Sequence, residues 1–199
     1  MLWHLAQTGT LCLGPVRGGD QQIVLVDEWI PRPRRPERDE ALGELALRYF
    51  RSHGPATVKD FIRWTGLTAT DARAGVALCR PELASMDVDG AEHLLDPRTP
   101  QRVDACRDGA RGMFLLPGFD EFVLGYADRS AVIAPEHADL LVPGGNGVFR
   151  PTVVCDGRIV GTWRHTGRGA KRSVAATAFT AFDAHTDRAI SATYASLPG

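Results

Sequence analysis

Apolar positions recur first at helical spacing. From about Glu37 to Arg51, the residues Ala41, Leu45, Leu47, Tyr49 and Phe50 fall on one broad stripe. Gly54-Pro55 stops that helix, because proline cannot continue it. Thr57 is placed to cap a second short helix, Val58 to Trp64, with Phe61 and Trp64 on its inner side. Gly66 ends that helix, and Thr68 or Thr70 caps a third, about Ala69 to Cys79. After Pro81 two short strands are predicted, about Ala84–Val88 and Glu92–Leu95. They are joined by Asp89-Gly90, a strong hairpin signal.

Helix, helix, glycine turn, helix and hairpin is the order of a winged helix. Its third helix offers only Thr68, Thr70 and Arg73 as polar contacts, and Asp71 would repel phosphate. The hairpin is acidic, with Asp87, Asp89, Glu92 and Asp96. The pattern therefore points to a fold more firmly than to base reading, and docking or purely structural modules share it. Upstream, Leu2 to Ala6 resembles the end of an amphipathic helix. Gly9–Gly14 and Gln22–Val26 read as strands separated by the turn Pro15–Asp20. This is the back half of a second winged helix, followed by the extended spacer Pro31 to Pro36.

Downstream, Pro97 to Arg111 is polar and reads as a connection with a helical turn. Beyond it strands dominate. Met113–Leu116 is a short apolar run, Glu121–Tyr126 a short helix or bent strand, and Pro135–Leu141 a proline-started helix. Val148–Cys155 and Arg158–Arg164 form a hairpin through Asp156-Gly157, about Ser173–Thr180 adds a strand, and an alanine-rich helix closes at about Ala184–Leu197. The expected class is α+β: winged helix-turn-helix modules followed by a β-rich domain. The expected segments are a partial winged helix at 1–30, a linker at 31–36 and a winged helix at 37–96. A connection at 97–112 and a β-rich domain with its carboxy-terminal helix at 113–199 follow.

Composition is that of a globular protein, 44% hydrophobic and 24% charged, with no apolar run long enough to span a bilayer and no signal-peptide pattern. The isolated Cys12, Cys79, Cys106 and Cys155 read as reduced thiols of a cytoplasmic protein, without a zinc site or disulfide framework. No metal, cofactor or membrane partner is expected. The net charge of −1 conceals an asymmetry. Gly144 to Arg172 carries six basic residues against Asp156 alone, whereas Ala84 to Asp139 carries eleven acids against five arginines. Such a basic segment suits either an anionic partner or a solvated strand face.

Several stretches resemble the AlkZ-like bacterial DNA glycosylases. They are Leu115-Leu116-Pro117-Gly118-Phe119-Asp120-Glu121-Phe122-Val123-Leu124-Gly125-Tyr126-Ala127-Asp128-Arg129-Ser130, then Gly144 to Val154, then Gly157 to Arg164. Ser52 to Phe61 with Trp64-Thr65-Gly66-Leu67 is similar to the later winged helix of that family. The resemblance implies tandem winged helices and a β-rich domain around a DNA-binding concavity. It also implies removal of alkylated bases without metal or organic cofactor. The family's Gln-x-Gln or His-x-Gln signature has no counterpart here: Gln21 and Gln22 are adjacent, and Gln7 and Gln101 stand alone. The chain resembles the carboxy-terminal half of a longer member, so catalytic residues stay unassigned.

Asp120 and Glu121 are the plausible paired carboxylates, with Asp120 alternatively holding its loop through Arg129. Gly144 to Gly147 is either a phosphate-approaching or a plain turn, and Tyr126, Phe149 and Trp163 are either base-stacking or core aromatics. On the 158–163 strand, alternation places Arg158, Val160 and Thr162 on one face and Ile159, Gly161 and Trp163 on the other. The expected DNA contacts, mainly to the backbone, are Arg73, Arg150, Arg158, Arg164, Arg168, Lys171 and Arg172. The leading reading is a DNA-binding protein of the repair-glycosylase lineage without catalysis of its own. The alternatives are an interaction or homo-oligomerising module, or a glycosylase with displaced catalytic residues.

Overall fold

The computed structural model describes residues 1–167 and 169–197. The chain divides into two compact units, Met1–Ala41 and Leu42–Gly199. The first contains α1 (Leu2–Gln7), β1 (Leu11–Arg17), β2 (Asp20–Leu25) and α2 (Val26–Trp29). The two strands pair antiparallel, with a bulge between Leu13 and Val16. The bulge lets β1 run on through Pro15, so the turn is Gly18-Gly19 and not the wider Pro15–Asp20. None of these 41 residues is buried.

The second unit starts along α3 (Arg38–His53), whose Leu42, Ala46, Tyr49 and Phe50 are buried. Thr57 caps α4 (Val58–Thr65) in a reciprocal capping box with Asp60, and Gly66 closes it in the left-handed conformation at φ +70°. Thr68, rather than Thr70, caps α5 (Ala69–Cys79). The strands β3 (Ala84–Val88) and β4 (Ala91–Leu95) form a hairpin whose turn, Asp89-Gly90, has positive φ at both positions. Tyr49, Phe50, Phe61, Ala72, Cys79, Leu83 and Leu94 make one core beneath these elements.

Where the sequence suggests a connection with one helical turn, the structure has α6 (Thr99–Ala110), three turns long. No residue of α6 is buried, which explains why apolar periodicity did not reveal it. Next come β5 (Met113–Leu116), the single-turn helices α7 (Glu121–Leu124) and α8 (Ala138–Leu141), and β6 (Thr152–Cys155). The chain ends in β7 (Arg158–Thr166), β8 (Ser173–Ala178) and α9 (Ala184–Ala195). Strands β5-β6-β7-β8 form one antiparallel sheet in that order. The architecture is α+β.

The sheet is buried on both faces. Leu115, Val153 and Trp163 pack with Ile190 of α9, while Val154 and Ile159 pack with Val123, Ile133 and Leu141. Simple alternation along β7 fails here. The register shifts between Val153 and Val154, so Ile159 enters one cluster while Val160 and Trp163 belong to the other.

Helical and sheet parts of this unit meet at a hydrogen-bonded seam. The Tyr49 hydroxyl donates to the Gly125 carbonyl at 2.7 Å, and Tyr126 to the His53 carbonyl at 2.8 Å. Asp60, 5% exposed, accepts the Thr57 amide with one oxygen at 2.8 Å and the Ala127 amide with the other at 2.7 Å. Asp60→Ala removes a helix cap and leaves the part-buried Ala127 amide without its acceptor. It should cost about 3 kcal/mol, lowering the thermal midpoint by about 6–12 °C in a circular-dichroism melt. Asp60→Asn, which keeps one acceptor, should lose less.

A second buried carboxylate, Asp96, follows β4. It accepts the Arg98 backbone amide at 2.8 Å and the guanidinium at 3.0 and 2.8 Å. Those bonds hold its carboxyl well below the usual range. A depressed folded pKa stabilises above the unfolded value, about 3.9, and the benefit fades as pH falls through the folded value. Asp96→Asn should therefore melt below the native protein at pH 7, and the gap should narrow as the pH drops below about 4.

Candidate nucleic-acid interface

The expected DNA contacts fall in different places. Arg73 stands exposed on α5, and Arg158 sits beside the β6–β7 turn, donating to the Ala131 carbonyl at 3.2 Å. Antiparallel pairing collects the others at the far end of the sheet. Thr152 at the start of β6 pairs with Thr162 in the middle of β7, and the Trp163 amide donates to the Pro151 carbonyl at 3.1 Å. Arg150 therefore lies level with Arg164, and β8 begins at the same end with Thr166 opposite Ser173. Lys171 and Arg172 precede that strand directly. Arg168 lies outside the described residues.

Arg150, Arg164, Lys171 and Arg172 are all exposed. Among the described residues none of them forms an ion pair with a carboxylate, whereas Arg51, Arg80 and Arg98 are paired to Glu82, Glu92 and Asp96. Period-two alternation puts Arg164 on the sheet face opposite Trp163 and His165. Arg172 reaches the other face, where its guanidinium lies 2.8–3.1 Å from the His165 ring nitrogens. The positive charge thus wraps around the sheet end and does not form one flat face. Beside it a groove of about 480 Å³ is lined by Leu115, Pro117, Trp163, His165, Arg172 and Tyr194.

The paired-carboxylate arrangement does not form. Asp120 Oδ1 accepts the Phe122 amide at 2.9 Å as the cap of α7. Glu121 turns to the seam, accepting from the Trp64 indole at 2.9 Å, with His53 Nε2 at 3.1 Å. Nor does Asp120 hold Arg129. That guanidinium donates through Nε to the Val123 carbonyl at 2.7 Å and lies over the Phe149 ring at 5.3 Å. Tyr126 and Trp163, candidates for stacking on bases, are spent on the structure. The Tyr126 hydroxyl bonds His53, and Trp163 is 7% exposed with its indole donating to the Leu116 carbonyl at 2.8 Å.

Gly144 to Gly147 is a tight turn with positive φ at its three glycines, closed by Asn146 accepting the Val148 amide at 2.9 Å. The four cysteines are free thiols. Among the described residues no cluster of His, Cys, Asp and Glu is suited to hold a metal ion, and no helix is long and apolar enough to cross a membrane. The seam roles of His53, Asp60 and Glu121 are not evident from the sequence, where Glu121 reads as half of a carboxylate pair. Only the Thr57-x-x-Asp60 spacing carried a signal, as a capping box.

Fold and surface define an α+β protein with exposed cations at one end of its sheet, without carboxylate partners among the described residues. The chain belongs to the AlkZ-like DNA glycosylase family, whose model, described as DNA glycosylase AlkZ-like, matches residues 1–197. It is 34% identical over 169 residues to an interstrand DNA cross-link repair glycosylase of Streptomyces sahachiroi, a match covering 82% of this chain and 45% of that protein. The solved structure of Streptomyces sahachiroi DNA glycosylase AlkZ is similar with a TM-score of 0.77 and 29% identity. That likeness covers 96% of this chain and 52% of that one. The chain thus spans about half the length of these relatives.

Proposed function

We propose that this chain binds DNA through the phosphate backbone, as part of the repair-glycosylase lineage to which it belongs, and does not by itself complete a catalytic site. The observation that carries the reading is the sheet end, where Arg150, Arg164, Lys171 and Arg172 converge without carboxylate partners among the described residues. Exposed, unpaired arginines suit phosphate, which they bind through several donors at once. In this reading the 37–96 segment is a winged helix that docks without reading bases, since α5 presents Arg73 among small residues. The absence of a Gln-x-Gln or His-x-Gln triplet from this sequence supports binding without base excision.

Fluorescence anisotropy with a labelled duplex across a salt series tests this. Six phosphate contacts, from Arg73, Arg150, Arg158, Arg164, Lys171 and Arg172, give a slope of log K against log salt of about −5. Reversing Arg150, Arg164, Lys171 and Arg172 to glutamate should abolish binding. Unchanged affinity would remove the sheet end from consideration, and abasic-site formation on alkylated DNA would restore a catalytic reading.

A second reading rests on the first unit. Leu13 pairs with Ile23 and Leu11 with Leu25 on one hairpin face, yet Leu13, Ile23 and Leu25 are exposed, as are Trp3 and Trp29. A unit without one buried residue gains by packing this face on further polypeptide, and a second copy of the chain is the partner proposed. Light scattering should then show mass rising with concentration, and Leu13→Glu with Ile23→Glu should return the monomer. A constant monomer mass in the native chain would refute self-association.

A further inference from the structure

Among the described residues three that are not glycine have positive φ: Asp89 at +52°, Asp156 at +48° and Phe119 at +61°. The two aspartates need no special account. Each opens a two-residue hairpin turn followed by glycine, and aspartate tolerates this region. Phe119 has neither excuse. It lies between β5 and α7, outside any hairpin turn, and a bulky side chain in this conformation is strained. Glycine stands immediately before it, so the strained position is occupied by an aromatic ring although a permissive residue sits next door.

The ring is also exposed, at 54%, which no gain in core burial offsets. Phe149 lies beside it, with ring centroids 6.1 Å apart and the rings tilted by 58°. The Arg129 guanidinium lies over the Phe149 ring at 5.3 Å. A Cβ on Gly118 would meet the Phe149 carbonyl oxygen at 2.7 Å, so the 118–119 backbone lies against the segment that carries Arg150. On the other side Asp120 anchors the chain as the cap of α7. Leu116 pairs with Thr152, which brings Phe119 to the sheet end that gathers Arg150, Arg164, Lys171 and Arg172.

We infer that Phe119 is a wedge that enters the DNA base stack while the surrounding cations hold the flanking phosphates. This rests on the DNA-binding reading above and deepens it. Apolar side chains inserted at a base step partly unstack it, and the cost is least at a mismatched or damaged pair. A ring on a preset backbone, with Phe149 beside it, loses little freedom when it inserts. Such a wedge needs no base-specific hydrogen bonds, in keeping with an α5 that offers few.

The test is a short duplex carrying 2-aminopurine beside a central mismatch, with anisotropy and 2-aminopurine fluorescence read on the same samples. Native protein should raise the fluorescence severalfold on binding. Phe119→Ala should keep the anisotropy affinity within about threefold and the same salt slope, since the phosphate contacts remain, but lose the fluorescence rise. Phe119→Leu, still an apolar wedge, should retain most of it. Binding by native protein without the rise, or a rise that survives Phe119→Ala, would overturn the wedge while leaving backbone binding intact. Absence of any anisotropy change would instead overturn the DNA reading and the wedge with it. Phe119→Gly relieves the backbone and should melt at or above the native midpoint. A lower midpoint would assign the ring a structural role.

Discussion

The second unit depends on one buried carboxylate. Asp60 satisfies the first turn of α4 with one oxygen and the Ala127 amide of the sheet part with the other. A charge in so dry a place is tolerable only when its lone pairs are filled, and here the Thr57 and Ala127 amides and the Thr57 hydroxyl fill them. The same turn of chain offers the Gly125 carbonyl to Tyr49 and the Tyr126 hydroxyl to His53. Three consecutive residues, Gly125 to Ala127, thereby fasten the helices to the loop that follows α7. Glu121, one turn earlier, adds Trp64 and His53 to the same seam. Because α7 begins two residues after Phe119, the seam also fixes where that residue emerges.

From this anchor the geometry of the cationic end follows by strand pairing. The antiparallel order β5-β6-β7-β8 sends the end of β5, the start of β6, the end of β7 and the start of β8 to one edge. Four chain segments that are up to 55 residues apart between Pro117 and Arg172 become neighbours there. The bulge opposite Val153 and Val154 reverses the face sense of β7, so Ile159 and Trp163 support different cores. Without that extra residue, Trp163 and His165 would turn away from α9, and the groove beside Tyr194 would not exist.

Much of this was legible in the sequence where local chemistry decides it. Thr57, Gly66 and Thr68 marked helix ends by capping, and Asp89-Gly90 and Asp156-Gly157 marked hairpins by their left-handed preference. The α6 helix was not legible, because a helix with no buried face leaves no apolar period. The bulge was equally hidden, since register belongs to the partner strand as much as to the sequence carrying it. As for the candidate site, the charged residues could be named in advance, but their grouping could not. Arg158 and Arg164 share a strand yet fall at opposite ends of the sheet, and Arg150 joins Arg164 only through pairing. Phe119 gave no signal, because a strained φ is imposed by its neighbours and is written in no residue type.

The distribution of buried and exposed aromatics bears on the kind of recognition proposed. Tyr49, Phe61 and Trp163 are consumed by cores, and Tyr126 is tied by its hydroxyl, whereas Phe119 is more than half exposed. Cations of two sheet faces lie at the same end of the sheet, and α5 adds little that distinguishes one base from another. In the proposed reading discrimination comes from how readily a site deforms, since phosphates are uniform and only the cost of opening a step varies. A damaged or distorted pair lowers that cost. In the proposed reading, preference for lesions then requires no pocket shaped to the lesion.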